Sequence, residues 1–193
     1  MSQTEPPYQI GRRIAVVGTT GSGKTTLARQ LAQTLRLKHV EIDALHWEPQ
    51  WTPAPDELFR QRVRDALQRD CWVIDGNYRK VRDIIWLRAQ TIVWLDYSLI
   101  VIMWRLFWRA IRRTMSRELL WGTNRETWRA QFFSRDSLFV WALQTYKHHR
   151  QEYPVFFAQP EYAHLCVVHL RSVRETKKWL GEVTAGPSHP PGG

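Results

Sequence analysis

Gly18-Thr19-Thr20-Gly21-Ser22-Gly23-Lys24-Thr25 follows a short apolar run, Ile14-Ala15-Val16-Val17, and opens a pattern with Leu27, Ala28, Leu31 and Leu35 on one helical face. Strand, glycine loop and helix in that order are the context in which GxxxxGK[ST] is a phosphate-binding P-loop. The spacing suits the chemistry. Gly18, Gly21 and Gly23 let successive N–H groups turn into one concavity, and the positive end of the helix dipole adds attraction for an anion. Lys24 is placed to reach β- and γ-phosphates, and the Thr25 hydroxyl to coordinate the accompanying Mg²⁺. The stretch predicts a nucleoside triphosphate site, ATP with Mg²⁺, bound across Gly18, Thr20, Gly21, Ser22, Gly23, Lys24, Thr25 and Thr26.

Outward from this loop, 193 residues with 44% hydrophobic content and 11 Trp predict one domain with a sizeable core. We expect it over 12–182, between a disordered leader (1–11) and a disordered tail (183–193) rich in Gly and Pro. The formal net charge of +10 suits polyanionic partners, from nucleotides to nucleic acid. Cys71 and Cys166 stand singly in apolar runs without metal spacing, as reduced core residues do. The first residues show no signal-peptide pattern, and the most apolar segment, Leu99 to Trp104, is too short to span a bilayer. The expectation is a cytoplasmic protein with no membrane partner.

Apolar strands alternate with helices along the chain. Strands are expected at Ile14–Val17, Lys38–Asp43, Cys71–Asp75, Thr91–Asp96 and His164–Leu170. Helices are expected after the P-loop, over 56–69, 81–87 and 99–115, over 116–152 in two pieces, and over 173–180. The order predicts an α/β fold: a five-stranded parallel sheet with helices on both faces. Ligands then bind outside the carboxyl ends of the strands. Asp43, Asp75 and Asp96 fall at those ends.

Asp75 closes an apolar run, the arrangement that holds Mg²⁺ beside Thr25. Asp96 repeats the pattern one strand later, and a cap or turn role remains open for both. Asp43 could orient or deprotonate an acceptor hydroxyl, or cap a loop. Arg105, Arg109 and Arg112 recur at i, i+4 and i+7, putting three guanidinium groups on one helical face, suited to phosphoryl oxygens. Leu99, Ile102, Met103, Leu106 and Ala110 give that helix a neighbouring apolar stripe, read as core. Trp47 and Trp51, in a proline-stiffened loop, either stack on a planar acceptor or pack the loop down. His46, His148 and His149 have no partners at metal-ligand spacing and receive no role.

With the P-loop, Val73-Ile-Asp-Gly-Asn-Tyr-Arg79, Ile92-Val-Trp-Leu-Asp96 and the arginine helix, the chain resembles adenylate-kinase-related P-loop kinases. The loop Asp43-Ala-Leu-His-Trp-Glu-Pro-Gln-Trp51 with Asp75-Gly-Asn-Tyr78 is similar to a bacterial branch often called "DNA topology modulation protein". The resemblance covers about 12–180. It implies a nucleoside/nucleotide kinase-like P-loop NTPase fold with a helical lid at about 114–135. Arg79 would then reach toward the acceptor or transferred phosphate, and Arg105 and Arg109 toward the donor nucleotide. Arg125 and Arg129 would be closing arginines, and Leu170-Arg-Ser172 would lie near the adenine. Where adenylate kinases carry Asp-Gly-Phe-Pro-Arg, this chain has Asp75-Gly-Asn-Tyr-Arg79, which leaves AMP open as acceptor. No helix-turn-helix, zinc-finger or RNA-binding signature accompanies the resemblance.

The reading is an ATP- and Mg²⁺-dependent kinase. Catalytic roles fall to Lys24, Asp43, Arg79, Arg105 and Arg109, metal binding to Thr25 and Asp75, and the acceptor is a nucleotide or nucleoside. Two rivals share the P-loop: a regulatory NTPase that binds nucleic acid or a protein partner, and a nucleotide sensor without efficient turnover.

Overall fold

The computed structural model describes residues 10–116, 119–120, 124–125 and 138–185. Five strands form the main sheet: β1 (Arg13–Gly18), β2 (Lys38–Glu41), β5 (Trp72–Asp75), β6 (Thr91–Leu95) and β9 (Cys166–Leu170). Their spatial order is β2-β5-β1-β6-β9, and every pairing is parallel. The two minor strand pairs are β3 (Trp47–Glu48) with β4 (Thr52–Pro53) and β7 (Leu119–Leu120) with β8 (Asn124–Arg125). The central position of β1, buried from Ile14 to Val17, puts the P-loop at the middle of the carboxyl edge.

Alternation along each strand gives the sheet two apolar faces. Ile14, Val16, Val73, Val93, Leu95 and Val168 face α1 (Lys24–Leu35), α5 (Leu99–Ser116) and α7 (Val173–Ala185). Ala15, Val17, Ile74, Ile92 and Trp94 face α3 (Asp56–Ala66), α4 (Arg82–Arg88) and α6 (Leu138–Phe157). Burial on both sides is why these strands read as continuous apolar runs rather than alternating ones.

Four expectations change. The second strand ends at Glu41, and Ile42–His46 forms a short helix, α2, so Asp43 sits in a helical turn and not on a strand end. Residues 119–120 and 124–125 are extended and paired, where further helix was expected. The arginine helix is apolar on two sides: Ile102 and Leu106 are buried, while Ile100, Trp104, Phe107 and Trp108 are exposed. The closing helix also continues to Ala185, beyond Leu180. Most of the expected lid, about 114–135, with the Arg129 side chain and that of Arg125, lies outside the described residues.

Candidate active site at the carboxyl edge of the sheet

The loop between β1 and α1 takes its shape from three left-handed glycines, Gly18 (φ 145°), Gly21 (φ 81°) and Gly23 (φ 89°). At Gly21 a Cβ would come within 2.7 Å of Leu106 Cγ, so the close approach of α5 requires glycine as much as the backbone does. Helix α1 starts without a side-chain cap and without an acidic residue in its first turn. Its first N–H groups therefore stay available to an anion. The Ser22 hydroxyl oxygen is buried in the loop and has no hydrogen-bond partner. An uncapped helix start, a glycine cradle and an orphaned hydroxyl together fit a bound phosphate.

Lys24 donates to the Thr19 carbonyl at 3.2 Å. Burial lowers its pKa; Asp43 and Asp75 pull it back up, and the Arg109 charge lowers it again. Those influences bring Asp43, Asp75 and Arg109 into the surroundings of the P-loop lysine. The Thr25 hydroxyl donates to Asp75 Oδ2 at 2.6 Å. Asp75 is only 4% exposed, and His39 Nε2 lies 2.7 Å from its other oxygen, Oδ1. Both carboxylate oxygens are thus held in place. Among the described residues no cluster of three or more His, Cys, Asp or Glu could hold a metal ion alone. A hydroxyl and a carboxylate side by side, with phosphates and waters to complete the shell, suit Mg²⁺ nonetheless.

Arg105 Nη1 donates to the Ser22 carbonyl at 2.7 Å, and its guanidinium carbon lies 5.0 Å from the centre of the Tyr97 ring. Asn77 clamps the loop start from the other side: its amide donates to the Gly18 carbonyl, and its Oδ1 accepts from Gly18 N–H at 3.2 Å.

The wall opposite α1 is assembled from distant parts of the chain. Tyr78 donates its hydroxyl proton to Asp43 Oδ1 at 2.8 Å. Burial, followed by the Asp43 charge and hydrogen bond, pushes the Tyr78 phenol up, so it stays a donor. Beneath them His46 packs its ring on Trp47, Phe59 and Tyr78 at 4.6–4.8 Å. The half-buried Trp47 meets Trp51 edge-on at 5.5 Å. Gln50 (φ 61°) and Trp51 (φ 57°) are both left-handed, an uncommon backbone for an indole residue. The indoles are thus anchored to their own loop and to His46. Arg79 is 66% exposed; it donates to Glu152 Oε1 at 3.4 Å, and its Nη1 lies 3.5 Å from His148 Nε2. Arg79 thereby lies against α6 rather than against the P-loop.

Asp96 belongs elsewhere. It accepts from Arg150 Nε at 2.5 Å and lies 3.0 Å from His169 Nε2, whose ring stacks on Trp94 at 4.0 Å. These residues line a separate open cavity of about 480 Å³ toward the β9 edge. The carboxylate beside Thr25 is that of Asp75 alone among the three strand-end candidates. Sequence reasoning also gave no site role to His39, Asn77, Tyr78 and Glu152. Asn77 and Tyr78 stood in the Asp75-Gly-Asn-Tyr78 element, whereas His39 joins Asp75 only through strand register, opposite Val73 on the same face.

A family model for the ATPase family associated with various cellular activities (AAA) matches residues 14–96, from β1 through β6. No curated protein matches the chain. Among solved structures, shikimate kinase from Aquifex aeolicus superposes with TM-score 0.51 at 14% identity, covering 90% of this chain and 94% of that one. Shikimate kinase from Bacteroides thetaiotaomicron gives TM-score 0.52 at 16% identity over 90% and 96% of the two chains. Shikimate kinase from Acinetobacter baumannii, solved with shikimate, gives 0.51 at 18% identity over 93% and 96%. The fold is that of the P-loop kinases. Among the described residues no helix is long and apolar enough to cross a membrane.

Proposed function

We propose that this chain is an ATP- and Mg²⁺-dependent phosphotransferase that passes the γ-phosphate to a small acceptor, foremost a nucleotide or nucleoside. The observation that carries the reading is the P-loop with Thr25 and Asp75 in contact, and with a second carboxylate, Asp43, close enough for its charge to act on Lys24. An ATP-binding switch needs only the first half of that arrangement, and the second carboxylate suits transfer to an acceptor hydroxyl. Three structural neighbours are named as shikimate kinases, which supports a small hydroxylated acceptor but not a particular one.

In this reading Lys24 and the N–H groups of Gly21–Thr26 hold the β- and γ-phosphates, and Arg105 and Arg109 flank the donor nucleotide. Thr25 and Asp75 would hold Mg²⁺, which neutralises charge on the phosphate oxygens during transfer. Asp43 takes the proton of the acceptor hydroxyl, or orients that hydroxyl, with Tyr78 fixing the carboxylate. Arg79 meets an anionic group of the acceptor by exchanging its contact with Glu152. The shared proton of Tyr78 keeps Asp43 from turning away.

The test is ADP release from Mg·ATP across a panel of nucleoside monophosphates, nucleosides and hydroxylated metabolites, with products identified by mass. Acceptor-dependent release is expected. Hydrolysis that no acceptor accelerates would replace the proposal with the regulatory-NTPase reading.

A further inference from the structure

One buried polar side chain near the phosphate site is used by nothing above. His149 is 9% exposed, and its Nδ1 is buried without a hydrogen-bond partner. Its ring stacks on Tyr153 at 5.0 Å with an 18° tilt. Tyr153 in turn lines one small internal cavity with Val17, Gly76, Asn77 and Tyr78, immediately under the start of the P-loop. Helix α6 runs antiparallel to the strands, since it leads into Pro160–Tyr162 and then β9, whose Cys166 N–H bonds the Gln90 carbonyl at the amino edge. Four residues back from Tyr153 therefore raise His149 by about 6 Å toward the carboxyl edge, where the adjacent Arg150 reaches Asp96 just past the end of β6.

Three cations from different parts of the chain and one further imidazole act on the ring. Burial is the main cause that lowers the imidazole, to about 4, followed by Lys24 of α1, His148 of α6, Arg82 of α4 and Arg79 of the preceding turn. Glu152, the carboxylate of the same helix, is taken by Arg79 and lies 3.0 Å from His148. Removing a polar atom from water without a partner is costly, and Lys24, Arg82 and Arg79 beside the ring would favour an anion there.

We propose that His149 is a phosphate-facing residue of the transfer site, whose imidazole takes up a proton as the anionic phosphates fill the space beside Lys24. The inference rests on the reading of the P-loop as a nucleotide site. Phosphate oxygens reverse the local field, the imidazolium becomes the favoured form, and the proton comes from the buffer. Both ring nitrogens then donate, and the orphaned Nδ1 gains a use. Binding therefore tightens as the pH falls from 8 toward 6.

Isothermal calorimetry of Mg·AMPPNP binding at pH 6, in two buffers of different ionisation enthalpy, reads the proton directly. The wild-type protein is expected to take up on the order of half a proton or more, by linkage. His149→Phe keeps the ring stack on Tyr153 and should abolish that uptake, while His148→Gln should retain most of it. His149→Gln, also uncharged, is expected to match His149→Phe and serves if the latter does not fold. Mg·AMPPNP binding with no proton uptake by the wild-type protein overturns the inference, as does equal uptake by wild type and both His149 variants. Absence of any nucleotide binding would instead overturn the P-loop reading itself.

Discussion

The donor wall of the mouth comes from one consecutive stretch, Gly18–Thr26, whereas the opposite wall takes Asp43 from α2, Tyr78 and Arg79 from the segment after β5, and Glu152 from α6. In the proposed function the donor wall meets phosphate, a ligand with one geometry, so a single backbone shape serves it. The proposed acceptor is a molecule whose shape varies between enzymes, and side chains on several elements would supply that variation. Mutations should therefore separate the two walls cleanly.

The largest effect is expected at the donor wall. Lys24→Ala removes a point charge beside the phosphates and no core contact, so turnover should fall by about 10³-fold or more, as when a single transition-state donor is lost. Thermal unfolding should show the fold intact, and normal turnover in that variant would remove Lys24 from the mechanism. Next comes the acceptor wall. Asp43→Asn should lower transfer by about 10²–10⁴-fold, while calorimetry finds nucleotide affinity unchanged. An equal loss of nucleotide affinity would mean that the two walls do not work separately.

A smaller effect is expected where His39 holds the far oxygen of Asp75 at 2.7 Å. His39→Ala should raise the Mg²⁺ concentration needed for half-maximal stabilisation by Mg·ATP in a thermal-shift titration, by about 10-fold, as when outer partners of metal ligands are removed. An unchanged Mg²⁺ requirement would make His39 a packing residue of the edge strand. The smallest effect concerns stability alone. The His149 imidazole titrates near 4 in the fold, against an ordinary value of about 6.5 in the unfolded chain. Between those values the unfolded chain binds the extra proton, so the contribution is present above pH about 6.5 and lost as the pH falls toward 4. It amounts to about 3 kcal/mol at most. Urea unfolding of the ligand-free protein at pH 7 and pH 5 should show that loss, and His149→Phe should reduce it.

Legibility follows the same division. The glycine loop, the apolar runs of β1, β5 and β6 and the strand-end position of Asp75 were readable because each is set by neighbours in sequence. Asp43 was found as a residue but misplaced on a strand. Ile42 is buried and starts a helical turn there, which the alternation of Val40 and Ile42 in Lys38–Asp43 does not reveal. Asp96 carried the same local signal as Asp75, and only the fold separates them, by giving one Thr25 and the other Arg150 and His169. His149 was dismissed for want of a sequence neighbour. Its partners are Tyr153 one turn on and the charge of Lys24, more than a hundred positions away.

The central claim is that the two walls cooperate in transfer, and ADP release from Mg·ATP with and without each acceptor of the panel tests it most directly. The account predicts release that rises with one acceptor class, yields a phosphorylated product, and disappears in Lys24→Ala. Slow release, indifferent to every acceptor and unaffected by Asp43→Asn, would contradict it.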